Sequence, residues 1–274
     1  MRKIPRVVAH RGASAVDPEH TLAAYRRAIE VGADGLECDV RLTADGHLVC
    51  VHDRRINRTS NGRGVLSTKS LSELETYDWG SWKQAAEAER VRVEEEQRLP
   101  DLDARRLLTL ETLLATVRDA GRPVELSIET KHPTRYAGLV ERRLIETLDR
   151  FGWAHPRLGT ESPVRVMSFS WLSLRRMRAA APGLRTVLLM DRVPLRFRDG
   201  SLPTGVSYAG PSLEIVTAHP EYVSRAHKHG HQVHVWTVNH DADIRHCGNL
   251  GVDAVITDRP DAALRVLADQ VGRL

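Results

Sequence analysis

The amino-acid sequence predicts an α/β fold, a TIM (β/α)8 barrel built from a single domain over residues 1–274. Three observations lead to this prediction. The length suits one barrel, which takes about 250 residues. Strand-like runs alternate with helical patterns along most of the chain, which is typical of a parallel sheet. One short hairpin interrupts the alternation, and the strands that remain number eight, enough to close a barrel.

The strand-like runs lie at residues 6–10, 35–42, 48–52, 124–129, 164–169, 185–190, 206–216, 232–238 and 253–257, and the run at 206–216 is poorly defined. Helical patterns cover residues 21–31, 110–120, 136–151, 171–181, 220–229, 241–249 and 261–270. Only residues 43–47 separate the second run from the third, and a parallel crossover needs a dozen or more residues. These two runs are therefore predicted to form an antiparallel hairpin, with Asp45-Gly46 in its tight turn.

Residues 54–108 interrupt the pattern with weak periodicity, turn signals and a charged stretch at 87–106. About 55 residues is too long for a structureless loop inside a compact fold. We expect an insertion that carries some structure of its own and lies over one face of the barrel. Its two tryptophans, Trp79 and Trp82, are expected to pack the insertion onto the barrel.

Composition excludes several classes of protein. The formal net charge is +4, and the arginines are scattered, so we expect a small anionic substrate and no nucleic-acid partner. Three cysteines without metal-type spacing are predicted to be buried thiols. No run of 18 apolar residues is present, which predicts no stable membrane insertion. The first strand begins too early to leave room for a secretory signal, so a cytoplasmic location is expected.

Residues able to perform chemistry cluster at the predicted strand ends, where active sites of such barrels lie. Residues two apart on a strand point to the same face, and a chain that reverses at residues 44–46 brings His52 back beside Glu37. The side chains predicted to converge are His10, Arg11, Glu37, Asp39, His52, Glu129 and Lys131.

Three of these side chains, Glu37, Asp39 and Glu129, are carboxylates on otherwise apolar strands. Burying like charges costs several kcal/mol each unless a cation offsets them. Ligands that are all oxygen favour a hard divalent cation, Mg²⁺ or Ca²⁺, and the spacing does not choose between the two.

Two histidines beside such a cation suit phosphodiester cleavage. One imidazole takes a proton from the nucleophile and the other gives a proton to the leaving alkoxide. The metal, Arg11 and Lys131 would stabilise the negative phosphoryl oxygens.

The ordered motifs HRG, PEHT, ECDVRLTADGHLVCVHD, IETK, SFS, VWTVN and GVDAVITDRP resemble those of the glycerophosphodiester phosphodiesterase family over nearly the whole chain. The resemblance also implies that residues 54–108 are the insertion that follows the His-Asp motif in that family. It implies an acid/base pair, His10 and His52; metal ligands Glu37, Asp39 and Glu129; phosphate contacts Arg11 and Lys131; and substrate-pocket aromatics Phe169 and Trp236.

The family usually has asparagine where this chain has His20, so the hydrogen bond of that asparagine is not expected to carry over. Thr21, next to it, remains a competent helix N-cap. The implied reaction converts glycerophosphocholine or glycerophosphoethanolamine to sn-glycerol 3-phosphate and an alcohol. Whether water or the substrate's own hydroxyl attacks phosphorus stays open.

Two alternatives stand beside this reaction. A related barrel phosphodiesterase, such as sphingomyelinase D or a phosphoinositide-specific phospholipase, acts on intact lipids and needs an exposed apolar rim, which we do not expect here. A catalytically silent phosphodiester-binding barrel would lack a histidine or a carboxylate, and all are present.

Five further residues are assigned no catalytic role. The four histidines at 227, 229, 231 and 234 are predicted to lie on the surface. Asp258 is predicted to cap the helix that begins near Pro260.

Overall fold

Eight parallel strands close into a barrel, as predicted, in a computed structural model that describes residues 4–83, 102–132, 138–157 and 159–271. The strands are β1 Arg6–His10, β2 Gly35–Leu42, β3 Leu48–Cys50, β4 Glu125–Thr130, β5 Val164–Ser168, β6 Arg185–Met190, β7 Tyr208–Pro211, β8 Gln232–Val235 and β9 Ala254–Thr257. Around the barrel each strand pairs with its neighbours in the order β1-β9-β8-β7-β6-β5-β4-β2, and β2 pairs again with β1.

Helices follow most of the barrel strands, which confirms the predicted alternation, whereas between β6 and β7 the chain forms only a 3-10 turn at Leu195–Phe197. The poorly defined run at 206–216 divides into β7 and a short helix, because Ile215 and Val216 pack into the main core cluster outside the barrel. The helices described are α1 Leu22–Glu30, α2 Leu71–Leu74, α3 Leu110–Arg118, α4 Leu139–Arg150, α5 Trp171–Ala180, α6 Leu213–Ala218, α7 Glu221–Lys228, α8 Asp241–Leu250 and α9 Pro260–Val271.

The hairpin is confirmed. Strand β3 pairs antiparallel with β2 outside the barrel, with Val40 opposite Cys50 and Leu42 opposite Leu48. Gly46 has φ of +85°, a backbone conformation that glycine adopts without a steric penalty. The next hydrogen bond of this ladder joins Val51 N to the carbonyl oxygen of Asp39. His52 follows directly and is thereby held beside the acidic segment of β2.

The barrel interior is layered along its axis. An apolar layer fills the middle and includes Val8, Met167, Val187 and Ile256. Because side chains alternate along a strand, the residues two positions further along point to the same interior. For Val8 that residue is His10, at the C-terminal end of the strand. The apolar layer therefore forms the floor of whatever site these strand ends build.

The insertion has structure of its own, as predicted. Trp79 is buried, and its indole Nε1 donates a hydrogen bond to the carbonyl oxygen of Leu74. Trp79 and Leu74 belong to an apolar cluster with Val49 and Val51 of the hairpin, so the insertion packs on the outer edge of the sheet. Of the charged stretch at 87–106, residues 87–101 lie outside the described residues.

Two expectations drawn from composition can be compared with the fold. The three cysteines, Cys38, Cys50 and Cys247, are buried free thiols, as predicted. In the described parts of the chain, none of the helices combines the length and the apolar character that crossing a bilayer requires.

Candidate active site

A small pocket of about 130 Å³ opens at the C-terminal end of the barrel. Eight of the nine residues that the sequence analysis assigned to the site line this pocket, and the ninth, Asp39, lies beneath it with 1% of its surface exposed. The eight lining residues are His10, Arg11, Glu37, His52, Glu129, Lys131, Phe169 and Trp236.

The loop after β1 places Arg11 against the acidic residues. Arg11 has φ of +58° and Gly12 has φ of +86°. A Cβ on Gly12 would lie 2.7 Å from the backbone of Ala24, so only glycine allows this close approach to α1. The resulting turn sets Arg11 Nη1 3.0 Å from Glu19 Oε1 and Arg11 Nε 3.1 Å from Asp39 Oδ2.

The acidic triad could hold a metal ion. One oxygen from each of Glu37, Asp39 and Glu129 lies within 4.8 Å of the others, and all three residues are buried. Burial, followed by repulsion from Asp39, raises the pKa of Glu37 well above its usual range and the pKa of Glu129 to about 8. The positively charged side chains nearby therefore do not fully offset the negative charge of these two carboxylates. A divalent cation fits this donor set, which is made of hard oxygen ligands.

Lys131 bridges two of the three carboxylates. Its Nζ lies 2.9 Å from Glu129 Oε1 and 3.1 Å from Asp39 Oδ1. Burial opposes the charged amine, but the attraction of these two carboxylates outweighs burial and raises the pKa of Lys131. The residue is therefore a permanent positive charge at the pocket wall.

Each of the two predicted catalytic histidines pairs through Nδ1 with an aspartate. His10 Nδ1 lies 2.6 Å from Asp258 Oδ1, and His52 Nδ1 lies 2.7 Å from Asp53 Oδ1. Burial opposes ionisation of both aspartates, but hydrogen bonds outweigh it and lower the pKa of each to about 2. Because an ionised carboxylate only accepts hydrogen bonds, Nδ1 of each histidine carries a proton and Nε2 is the nitrogen able to exchange one.

The predicted helix-capping role of Asp258 is wrong. Its Oδ1 accepts hydrogen bonds from the His10 ring and from the hydroxyl of Ser14, and its Oδ2 accepts one from Asn239 Nδ2 at 2.6 Å. Barrel closure makes β9 the neighbour of β1, and this places Asp258, which follows β9, beside His10, which ends β1. The sequence signal was its position directly after the last strand, at the catalytic end of the fold.

His20 contacts the acidic triad, a role that the sequence analysis missed. Its Nε2 lies 2.9 Å from Asp39 Oδ2, and its Nδ1 lies 2.8 Å from the hydroxyl of Tyr25. Burial lowers the pKa of His20 and favours the neutral ring. The ionised carboxylate of Asp39 only accepts hydrogen bonds, so it fixes the neutral ring in the tautomer that carries its proton on Nε2. The Tyr25 hydroxyl lies within hydrogen-bond distance of both His20 Nδ1 and the carbonyl oxygen of Glu37. The signal for this contact was the departure from asparagine itself, at a position with φ of +62° that asparagine and histidine both tolerate.

Arg41 is a second residue that the sequence analysis missed. Its guanidinium donates from Nε and Nη2 to the carbonyl oxygen of His52, at 2.9 and 2.6 Å. Arg41 shares the strand face of Glu37 and Asp39, and this spacing of two was its sequence signal. The contact fixes the chain where it leaves the hairpin, next to the His52 ring.

Phe169 and Trp236 form the apolar wall of the pocket. Their rings meet edge to face with centroids 5.4 Å apart, and Trp236 Nε1 donates to the carbonyl oxygen of Gly210 at 2.7 Å.

The expectation that no apolar loop is exposed is wrong. Phe169, Trp171 and Leu172 after β5, together with Leu195 after β6, are all exposed at this end of the barrel.

One of the four histidines predicted to lie on the surface does not. His234 is 2% exposed and stacks on Tyr208 with ring centroids 4.9 Å apart, because it shares the inward face of β8 with Trp236. Burial, followed by the charge of Arg165, lowers the pKa of His234 to about 3. His227 and His229 are exposed, as predicted, and His231 is half-buried.

Comparisons with known proteins point to one family. Residues 10–262 match the model of the glycerophosphoryl diester phosphodiesterase family. The chain is 44% identical over 265 residues to a probable glycerophosphodiester phosphodiesterase 1 of Mycobacterium tuberculosis, covering 97% of this chain and 93% of the relative. It is 34% identical over 259 residues to a glycerophosphodiester phosphodiesterase of Bacillus subtilis, covering 93% of this chain and 83% of the relative.

Solved structures show the same fold. A phosphodiesterase from Oleispira antarctica, in complex with the product sn-glycerol-3-phosphate, superposes with a TM-score of 0.76 at 24% identity and covers 97% of both chains. A putative glycerophosphoryl diester phosphodiesterase from Agrobacterium tumefaciens superposes with a TM-score of 0.79 at 20% identity, covering 98% of this chain and 100% of that structure. The family model matches residues 10–262, and the Mycobacterium tuberculosis relative is 44% identical over nearly the whole chain. The chain therefore belongs to the glycerophosphoryl diester phosphodiesterase family of enzymes.

Proposed function

We propose that the chain hydrolyses glycerophosphodiesters, such as glycerophosphocholine and glycerophosphoethanolamine, to sn-glycerol 3-phosphate and an alcohol, in a reaction that depends on Mg²⁺ or Ca²⁺. The observation that supports this most directly is that two histidine–aspartate pairs and a buried acidic triad border one pocket. The names of the relatives support the substrate class, as does the product bound to the Oleispira protein.

In this proposal the two histidines move the protons of the reaction. Nε2 of one ring accepts the proton of the attacking hydroxyl or water, while the other ring, protonated, gives its Nε2 proton to the leaving alkoxide oxygen. Asp258 and Asp53 keep Nδ1 of each ring protonated and favour the imidazolium form while it exists. The same two groups serve attack by water and attack by the glycerol hydroxyl.

Positive charge in the pocket serves the phosphate. Arg11 and Lys131 would attract the phosphodiester and stabilise the charge that builds up on its free oxygens. Glu37, Asp39 and Glu129 would hold the divalent cation, which when bound adds positive charge at those oxygens. Phe169 and Trp236 would pack against the carbon backbone of the glycerol.

A ³¹P NMR assay tests this proposal. The protein is stripped with EDTA and incubated with glycerophosphocholine, glycerophosphoethanolamine or glycerophosphoinositol, with Mg²⁺, Ca²⁺ or no metal restored. We expect a sn-glycerol 3-phosphate signal that grows only with metal. His10→Asn and His52→Asn should each slow turnover by about 10²–10⁴-fold, whereas His47→Asn, a change to an exposed hairpin histidine, should not.

Turnover that survives EDTA would contradict the metal requirement. No turnover with any of the three substrates would contradict the substrate class. Wild-type rates in His10→Asn or His52→Asn would remove that histidine from the proposed acid/base pair.

A further inference from the structure

Exposed apolar side chains concentrate at the mouth of the active site. We define the apolar rim as Phe169, Trp171, Leu172 and Leu195, which are 46%, 37%, 44% and 78% exposed. The described residues include eight exposed large hydrophobic side chains, so the rim contains half of them. Isolated exposed apolar residues are ordinary, but a cluster of them on one face marks a contact surface.

The rim is continuous with the catalytic pocket. Its first three residues leave the C-terminal end of β5 and Leu195 follows β6, and these strands are paired neighbours in the barrel. The ring of Phe169 contacts Trp236 inside the pocket. Whatever covers the rim therefore also lies over the site.

Arginines surround the rim. The guanidinium of Arg175 lies over the Trp171 ring, 5.3 Å from its centroid, and exposed Arg192 and Arg196 belong to the same loop as Leu195. Within the described part of the chain these three arginines form no ion pair, and the acidic residues of the Leu195 loop are Asp191 and Asp199. The surface thus combines apolar side chains with an excess of positive charge.

We propose that the apolar rim docks the chain on an anionic lipid surface, with the mouth of the active site facing the lipid. Apolar and aromatic side chains enter the interfacial region of a bilayer, while flanking arginines attract anionic head groups. A second copy of the chain fits less well, because a twofold contact would place the unpaired arginines against each other. This inference is independent of the proposed reaction, since lipid binding is measured without substrate.

Vesicle co-sedimentation in EDTA tests the docking. We expect the wild-type protein to sediment with phosphatidylglycerol vesicles, less so at 0.5 M than at about 0.1 M salt, and weakly with phosphatidylcholine vesicles. The double variants Leu172→Asp/Leu195→Asp and Arg192→Ala/Arg196→Ala should each bind phosphatidylglycerol at least about tenfold more weakly. Ile4→Asp is the matched control, because Ile4 is 47% exposed and precedes β1 at the opposite end of the barrel.

Far-UV circular dichroism of each variant establishes that it is folded before binding is compared. Wild-type vesicle binding in the two rim variants, or equal loss in Ile4→Asp, would overturn the proposal. So would light scattering that shows a dimer which the Leu172→Asp/Leu195→Asp variant dissociates, because the rim would then be an interface between copies of the chain.

Discussion

The aspartate behind His10 is tested by replacing it with its amide. Asp258→Asn keeps the size of the side chain but allows its NH₂ group to face Nδ1, which favours the tautomer that carries its proton on Nε2. We expect kcat/KM for glycerophosphocholine to fall by about 10²–10⁴-fold, with the fold retained. Asp258→Glu, which keeps the charge, should recover part of the loss. An Asp258→Asn variant with wild-type kcat/KM would show that the 2.6 Å contact to His10 has no catalytic role.

His20 is predicted to position a metal ligand. Its Nε2 donates to Asp39 Oδ2, and partners that hold metal ligands typically contribute 10–100-fold in metal affinity. We expect His20→Leu to weaken Mg²⁺ or Ca²⁺ binding about 10–100-fold, measured by titration calorimetry on the EDTA-stripped protein. His20→Gln can still donate to Asp39 and should lose less. Equal metal affinity in wild type and His20→Leu would contradict the positioning role.

Glu19 is predicted to stabilise the fold in a pH-dependent way. Burial opposes its ionisation, but hydrogen bonds and charge from Arg58 and Arg11 lower the pKa of Glu19 from 4.5 to about 2. A depressed folded-state pKa adds stability that is present above about pH 4.5 and disappears as the pH falls through about 2. The shift corresponds to about 3 kcal/mol. Urea denaturation of Glu19→Gln should therefore show a free energy of unfolding that falls less steeply between these pH values than in wild type.

The convergence of the site's side chains, as distinct from their roles, was predictable from the sequence. Strand alternation places His10 and the acidic triad on one face, and the hairpin returns His52 beside them. Asp258 and His20 were missed because their partners lie 248 and 19 residues away, through barrel closure and through a loop with two positive-φ residues. Neither contact is encoded in a local pattern.

At the scale of elements, two glycines with nearly the same backbone conformation are predicted to differ in importance. Gly12 and Gly46 have φ of +86° and +85°. An added Cβ would meet the Ala24 backbone at 2.7 Å in the first case, but only the Arg143 side chain at 3.6 Å in the second. We expect Gly46→Ala to cost about 1 kcal/mol of unfolding free energy from strain alone, and Gly12→Ala about 3 kcal/mol or more.

The loop that begins at Gly12 also positions Arg11, so Gly12→Ala should lower kcat/KM in addition to stability, while Gly46→Ala should leave kcat/KM within about twofold of wild type. Urea denaturation and steady-state kinetics of both variants make the comparison. Equal losses of unfolding free energy in the two would show that the close approach to α1 contributes nothing.

The helices and strands were largely predictable from hydrophobic periodicity. The hairpin was predictable because only five residues connect β2 to β3, too few for a parallel crossover. The run at 206–216 was not resolved, since a four-residue strand and a six-residue helix are too short to show a period. The exposure of the rim was also missed. Whether Trp171 and Leu172 face water depends on which elements cover them, and the sequence pattern does not contain that information.

At the scale of the whole molecule, the two ends of the barrel have different tasks. The proposed catalytic groups lie at the C-terminal ends of the barrel strands. Buried and partly buried ion pairs lie at the N-terminal ends. There, Glu125 accepts from Arg6, and Arg165 Nη2 lies 2.5 Å from Glu125 Oε1. Arg165 is 5% exposed, so this carboxylate compensates a positive charge that water reaches poorly. The apolar layer around Val8 and Met167 separates the two ends.

Glu125→Ala should therefore destabilise the protein without altering catalysis. Removing one partner of a buried ion pair costs about 3–5 kcal/mol, which lowers the Tm of a domain of this size by roughly 10 °C. The control is Glu161→Ala, which breaks the pair with Arg185 near the same end of the barrel, but with a glutamate that is 72% exposed, so the Tm should change by about 2 °C or less. Both variants should keep kcat/KM at 25 °C within about twofold of wild type. A large loss of kcat/KM in Glu125→Ala at a temperature where it is folded would mean that the two ends of the barrel are coupled through the apolar layer.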